Sequence, residues 1–140
     1  RTGKPATVYF QTYENNSKMI SELTNENPDI FLNRELEIRK KNKLPPYQRF
    51  ISLILTGENE IKLEKEAFNF KNFIENKIEG KILGPVNAPL FRLKKKFRIR
   101  FLIRGPKSMK MQTSLAKIIP KYKFSNGIKL SVDVDPINFN

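Results

Sequence analysis

At 140 residues and 39% hydrophobic content, the chain can build one ordinary core, or one core with an attached arm. With no Cys and no His it has no disulfides, no thiol chemistry and no zinc site of the usual Cys/His kind, and acid–base chemistry would fall to carboxylates, Lys or Tyr. The net charge of +13 is unevenly placed: residues 80–132 hold 14 of the 27 Lys and Arg and no Asp or Glu, while the rest of the chain holds 13 basic and 14 acidic residues.

Arg1–Lys4 is a polar turn without an initiator Met and reads as the interior of a longer chain. Ala6–Thr12, rich in β-branched and aromatic residues, predicts a strand, one whose partners would lie upstream. Ser17–Leu23 predicts a short helix. Asn27-Pro28 is a helix start, with Asn as N-cap and Pro at the first helical position. The helix should run through Asn42, with Ile30, Phe31, Leu32 and Leu36 on its apolar side. Asp29 near its start and Arg39, Lys40 and Lys41 near its end suit the dipole. Leu44-Pro45-Pro46-Tyr47 then predicts a rigid extended connector, because each proline fixes φ and removes a donor.

Arg49–Leu55 reads as a strand buried on nearly both faces. Glu58–Glu79 predicts a long helix, with Ile61, Leu63, Ala67, Phe70, Ile74 and Ile78 along one face, Phe68 and Phe73 widening it, and Gly80 just past its end. Lys81–Leu83 predicts a short strand and Gly84–Pro89 a stiff loop over Phe91. Arg92–Arg104 predicts a strand of two characters. Phe97, Ile99, Phe101 and Ile103 alternate onto a core face, while Lys96, Arg98, Arg100 and Arg104 alternate onto the other, interrupted by Leu102. Gly105-Pro106 breaks to a helix over 107–119, with Met111, Leu115, Ile118 and Ile119 inward. Asn126-Gly127 is a turn before a last strand carrying Ile128, Leu130, Val132 and Val134.

The order from Arg49 to Asp135 is therefore β-α-β-β-α-β, which predicts an α+β fold of ferredoxin-like pattern, an antiparallel sheet with both helices on one face. Arg98 and Arg100 would then point from the uncovered face. No run approaches the roughly 20 apolar residues of a membrane-spanning helix, so no membrane partner is expected. No Gly-rich nucleotide loop and no metal-spaced cluster appears. Asp133 and Asp135 would share a strand face, where pairing with a neighbouring Lys or Arg, or marking the strand exit before Pro136, is expected over metal binding. A basic block without acids favours nucleic-acid contact over plain solvation, with Lys94, Lys95, Lys96, Arg98, Arg100 and Arg104 as the nucleic-acid-binding candidates.

Taken together, RTGKPATVYFQT at Arg1–Thr12, Glu35 and Arg39, LPPY at Leu44–Tyr47, LGPVNAP at Leu83–Pro89, KFRIRFLI from Lys96 and DVDP at Asp133–Pro136 resemble the C-terminal end of the primosomal replication-restart helicases, the primosomal protein N′ family. The resemblance covers nearly the whole chain. It implies ATP-dependent 3′→5′ helicases that recognise stalled forks and load further primosome proteins. It implies that residues 1–25 finish the second motor lobe, 26–46 form a connecting helix and Pro-Pro linker, and 47–140 form an S10-like C-terminal DNA-binding domain.

On the same ground Arg1 matches the last arginine of the final helicase motif, which contacts nucleotide phosphate. ATP, magnesium and zinc would be held elsewhere in a full-length protein, with none bound by this chain, which alone would not hydrolyse ATP. The implied partners are DNA (forks, single strands and duplex), the other primosome proteins, and the acidic tail of the single-stranded DNA-binding protein, for which Lys107, Lys110 and Gln112 are candidates. The family also implies a cytoplasmic, nucleoid-associated monomer. The residues alone leave two other readings open: an RNA- or ribosome-binding module of the same architecture, and a protein-docking module without catalysis.

Overall fold

The computed structural model describes residues 3, 7–14, 17–24 and 28–137. The chain divides into two units, residues 1–38 and 39–140. Arg1, Ala6 and Asn27 lie outside the described residues, and with them the nucleotide-contacting arginine and the helix cap expected there.

In the first unit, helix α1 (Lys18–Leu23) precedes helix α2 (Pro28–Lys41), whose last turn belongs to the second unit. Arg34 Nη1 donates to Glu22 Oε2 at 2.6 Å, and this bond allows Glu22 to be buried. One expectation is not met here. Residues 7–12 form no strand, and Val8, Tyr9 and Phe10 are exposed. A strand needs a hydrogen-bonded neighbour, and the partners expected for this segment are not among residues 1–140. On the apolar side of α2, Ile30, Leu32 and Leu36 are exposed and Phe31 is half-buried.

The Leu44–Tyr47 connector is a turn, not an extended segment. Pro45–Pro46 is a cis peptide, and Tyr47 N–H donates to Leu44 O at 2.9 Å. Arg39 Nη1 donates to Pro45 O at 3.2 Å and ties the end of α2 to that turn.

The second unit contains strand β1 (Gln48–Gly57), helix α3 (Glu60–Ile74), strands β2 (Lys81–Leu93) and β3 (Lys96–Pro106), helix α4 (Lys110–Ile118) and strand β4 (Lys129–Val134). The sheet order is β2-β3-β1-β4, and every neighbouring pair is antiparallel. This is an α+β unit with the element order expected from sequence.

Its core lies between one sheet face and both helices. Ile51, Leu53 and Leu55 of β1 and Ile99, Phe101 and Ile103 of β3 meet Leu63, Ala67, Phe70 and Ile74 of α3 and Met111 and Leu115 of α4. Each Leu, Ile, Phe or Met side chain among them contributes roughly 1.5–3 kcal/mol by removal of apolar area from water. Phe70 sits at the centre, with its ring edge-on to Phe101 and Tyr122 and tilted against Phe124.

Asn59 starts α3 by accepting the Lys62 N–H at 2.9 Å. The helix ends at Ile74, short of the expected Glu79, because Ile74 O accepts the Lys77 N–H three residues on and the ladder stops. Gly80 is therefore not the residue that ends it; Ile78 still packs on the core, from the turn that follows. Of the expected apolar face, Ile61 is exposed, as is Phe68. Glu66 is buried instead, accepting Ser125 Oγ at 2.6 Å and a bond from the Tyr122 hydroxyl. Burial, with the Glu66 bond and charge behind it, pushes the Tyr122 hydroxyl up to about 12.

Helix α4 begins at Lys110, later than expected, and gives way to a 3-10 turn over Ile119–Lys121, where Pro120 supplies no donor. Strand β2 is much longer than expected. GPVNAP lies inside it, with register shifts against β3 between Leu83 and Val86 and between Asn87 and Arg92. Pro85 and Pro89 fit there because β2 is an outer strand, where a missing donor leaves no inner ladder incomplete.

Candidate nucleic-acid interface

The basic stretch is a hairpin end rather than one strand. Arg92 and Leu93 finish β2, Lys94 and Lys95 form the turn, and β3 starts at Lys96 opposite Leu93. Both turn residues have positive φ, 50° and 65°, the conformation of a type I′ loop, whose twist matches the flanking strands. Nothing in the composition marks this turn, since Asn and Gly are the usual residues there. Left-handed backbone costs a non-glycine residue roughly 1–2 kcal/mol. Lys94→Asn with Lys95→Gly is therefore expected to raise stability by about 1 kcal/mol, read as a higher urea midpoint.

From Lys96 onward the alternation is as expected. Ile99, Phe101 and Ile103 are buried and Phe97 packs partly against the core, while Lys96, Arg98, Arg100 and Arg104 are half-exposed on the opposite face. Phe97 and Phe101 are thus core residues rather than platforms for stacking.

Register extends that opposite face across the sheet. Arg104 stands between Phe50 of β1 and Lys81 of β2, Leu102 between Ser52 and Leu83, and Arg100 between Ile54 and Val86. Arg98 lies opposite Thr56, and Thr56 is followed across by Lys129 of β4. Lys81 and Lys129 thus join the cationic row, although neither stands out in sequence; only the strand pairing assigns them to it.

Cations of the row have partners within the chain, Lys96, Arg98 and Arg100 among them. Arg98 Nη1 donates to Leu90 O at 3.4 Å, and Lys96 Nζ is 3.8 Å from Glu58 Oε1. The Lys96 pair is exposed and salt-screened, so it holds that side chain weakly. Between the arginines the face is apolar. Phe50, Leu83, Gly84, Val86, Arg100 and Leu102 line a shallow concavity of about 400 Å³.

The remaining candidates lie elsewhere. Lys110 is exposed at the start of α4, and Lys107 is exposed in the segment before it. Gln112 is half-buried, and its Oε1 accepts from Arg49 Nη1 at 2.7 Å. Lys110 borders a groove with Glu79, Thr113 and Lys117, whereas Gln112 borders an apolar groove with Leu115, Val132 and Val134, so the two do not converge.

Asp133 and Asp135 do not share a strand face either. Asp133 is in β4 opposite Ser52, while Asp135 lies past the strand end with φ 53°. Asp135 Oδ2 is 3.1 Å from Arg49 Nε, and its Oδ1 accepts the Phe50 N–H at 3.1 Å. It fastens the exit of β4 to β1. Among the described residues no group of acidic residues is placed to hold a metal ion. Nor is any described helix long and apolar enough to cross a membrane.

The family model for the primosomal protein N C-terminal domain matches residues 40–137. Among curated proteins, the chain is 35% identical over 132 residues to the replication restart protein PriA of Rickettsia typhi, covering 94% of this chain and 20% of that protein. It is 29% identical over 144 residues to the protein of that name from Synechocystis sp., covering 100% and 17%. It is 26% identical over 141 residues to the one from Bacillus subtilis, covering 97% and 18%. The chain spans about one fifth of the length of the curated relatives it matches.

Proposed function

Because the chain belongs to the primosomal protein N C-terminal domain family, we propose that it serves replication restart as the C-terminal part of an ATP-dependent 3′→5′ DNA helicase, and that its basic open sheet face binds forked DNA. The observation that carries this reading is the row Lys96, Arg98, Arg100 and Arg104 on the face opposite the core, within a block lacking any acidic residue. Guanidinium groups on rigid strands suit phosphate oxygens, and such contacts position the protein on DNA without reading sequence. In this reading Lys94 and Lys95 extend the contact from the hairpin turn.

ATP and magnesium would belong to the motor lobes of a longer protein, with Arg1 as the arginine that contacts nucleotide phosphate. Zinc of the usual coordination also belongs elsewhere, because this chain supplies neither Cys nor His. The acidic tail of the single-stranded DNA-binding protein would run across the α4 side, from Lys107 and Lys110 to Gln112, which border separate grooves, with other primosome proteins as further partners. The protein would act as a monomer in the cytoplasm, at the nucleoid.

Fluorescence anisotropy with labelled fork, duplex and single-stranded DNA and matching RNA, across a salt series, tests the reading. Each phosphate contact contributes a slope of roughly 0.9 in the logarithmic salt dependence, so Arg98→Ala/Arg100→Ala should flatten that dependence by about 2 and weaken every DNA form alike. Unchanged binding would remove this face as the site. Preference for RNA, or no DNA binding at low salt, would overturn the DNA reading.

A further inference from the structure

We propose that the concavity lined by Phe50, Leu83, Gly84, Val86, Arg100 and Leu102 receives an unstacked base of single-stranded DNA. The inference rests on the DNA-binding reading of this face and adds to it a site for a base.

The face mixes two chemistries that phosphate contact alone does not require. Val86 is 51% exposed and Leu83 is 39% exposed, and both project from the cationic face rather than into the core. Leu102, directly opposite Leu83, continues the apolar floor, with Arg100 and Arg104 two residues to either side along β3. Lys81 stands across from Arg104. The result is an apolar dish framed by cations, and its volume of about 400 Å³ falls in the range of small-ligand sites.

The chemistry of the occupant follows from that layout. Its centre must be flat and apolar on its faces, and its periphery must be anionic. A duplex presents phosphates outward and keeps its bases stacked, so it could satisfy the frame but not fill the dish. A single strand offers both parts, because an unstacked base can enter the recess while its flanking phosphates stay at the rim. Arg100 lines the recess, and a planar guanidinium can stack on a base as well as bond to phosphate. The floor is aliphatic, so the site should be tolerant of base identity.

Anisotropy with a labelled oligothymidylate and an equally long abasic strand tests the site on the 140-residue chain and on its Leu83→Ser/Val86→Ser variant, which keeps every charge. The unsubstituted chain should bind the abasic strand about tenfold more weakly, by loss of base contacts. The variant should bind the thymidylate at that same weakened level, lose nothing further with the abasic strand, and keep its salt slope. Equal affinity of the unsubstituted chain for both strands, with salt-dependent binding intact, overturns the base site and leaves the phosphate-binding face standing. Absence of binding to either strand at low salt overturns both. The comparison of strands on the unsubstituted chain stays decisive even if the variant folds poorly.

Discussion

Phe70→Ala is expected to destabilise the second unit by about 3–5 kcal/mol, the usual cost of emptying an aromatic core position. Phe70 has no exposed surface and holds together residues from three places: its own helix α3, Phe101 at the middle of β3, and Tyr122 and Phe124 after α4. Removing the ring leaves a void that these neighbours border from different backbone segments, so no single side-chain movement closes it. Small domains are stable by only about 5–15 kcal/mol, so the loss should appear as a large fall in urea midpoint. Phe68→Ala, on the same helix but 58% exposed, should change stability by no more than about 0.5 kcal/mol and barely move the midpoint. Equal effects of the two substitutions would contradict the orientation of α3.

Gly84→Ala should cost about 1–3 kcal/mol from backbone strain, with a further loss from steric overlap. Gly84 has φ 102°, and a Cβ there would lie 2.7 Å from Arg100 O, a backbone atom of the neighbouring strand. The overlap cannot be relieved by rotating a side chain; β2 must draw back from β3 where the strands shift register. Gly127→Ala separates the two causes, because Gly127 also has positive φ, 86°, but nothing lies within 4 Å of the added carbon. Urea unfolding should show Gly84→Ala as clearly the worse. Amide exchange near Val86 and Arg100 should speed up only in that variant.

Much of the second unit is legible in sequence because its signals are local. The alternation from Phe97 to Ile103 separates the two faces of β3, and the apolar periodicity of α3 and α4 places Leu63, Ala67, Phe70, Ile74, Met111 and Leu115 in the core. The misses are of a different kind. The Lys94–Lys95 turn adopts a glycine-like backbone without glycine, so nothing divides the basic run. GPVNAP has loop composition but is held as strand by its pairing with β3, a contact that composition does not reveal. Glu66 reads as one more solvent-facing acid until the fold brings Ser125 and Tyr122 to it from far along the chain.

The candidate interface divides in the same way. The arginines of β3 are visible from their spacing, whereas Lys81, Lys129 and the apolar floor at Leu83 and Val86 emerge only from cross-strand register. The strand expected at Ala6–Thr12 rests on composition, and composition does not supply the pairing partner that a strand requires; residues 7–12 form none.

The broken register of β2 has a consequence for how this sheet meets other molecules. An outer strand with a regular ladder would invite another chain to pair with it by backbone hydrogen bonds, as in peptide capture or aggregation. Here Pro85 and Pro89 remove donors and the two shifts bend the rim, while the opposite rim, β4, is only 6 residues long. Growth of the sheet by strand addition is therefore disfavoured at both sides. Its exposed leucines and valines can stand among arginines without templating assembly, and recognition is left to side chains on the face.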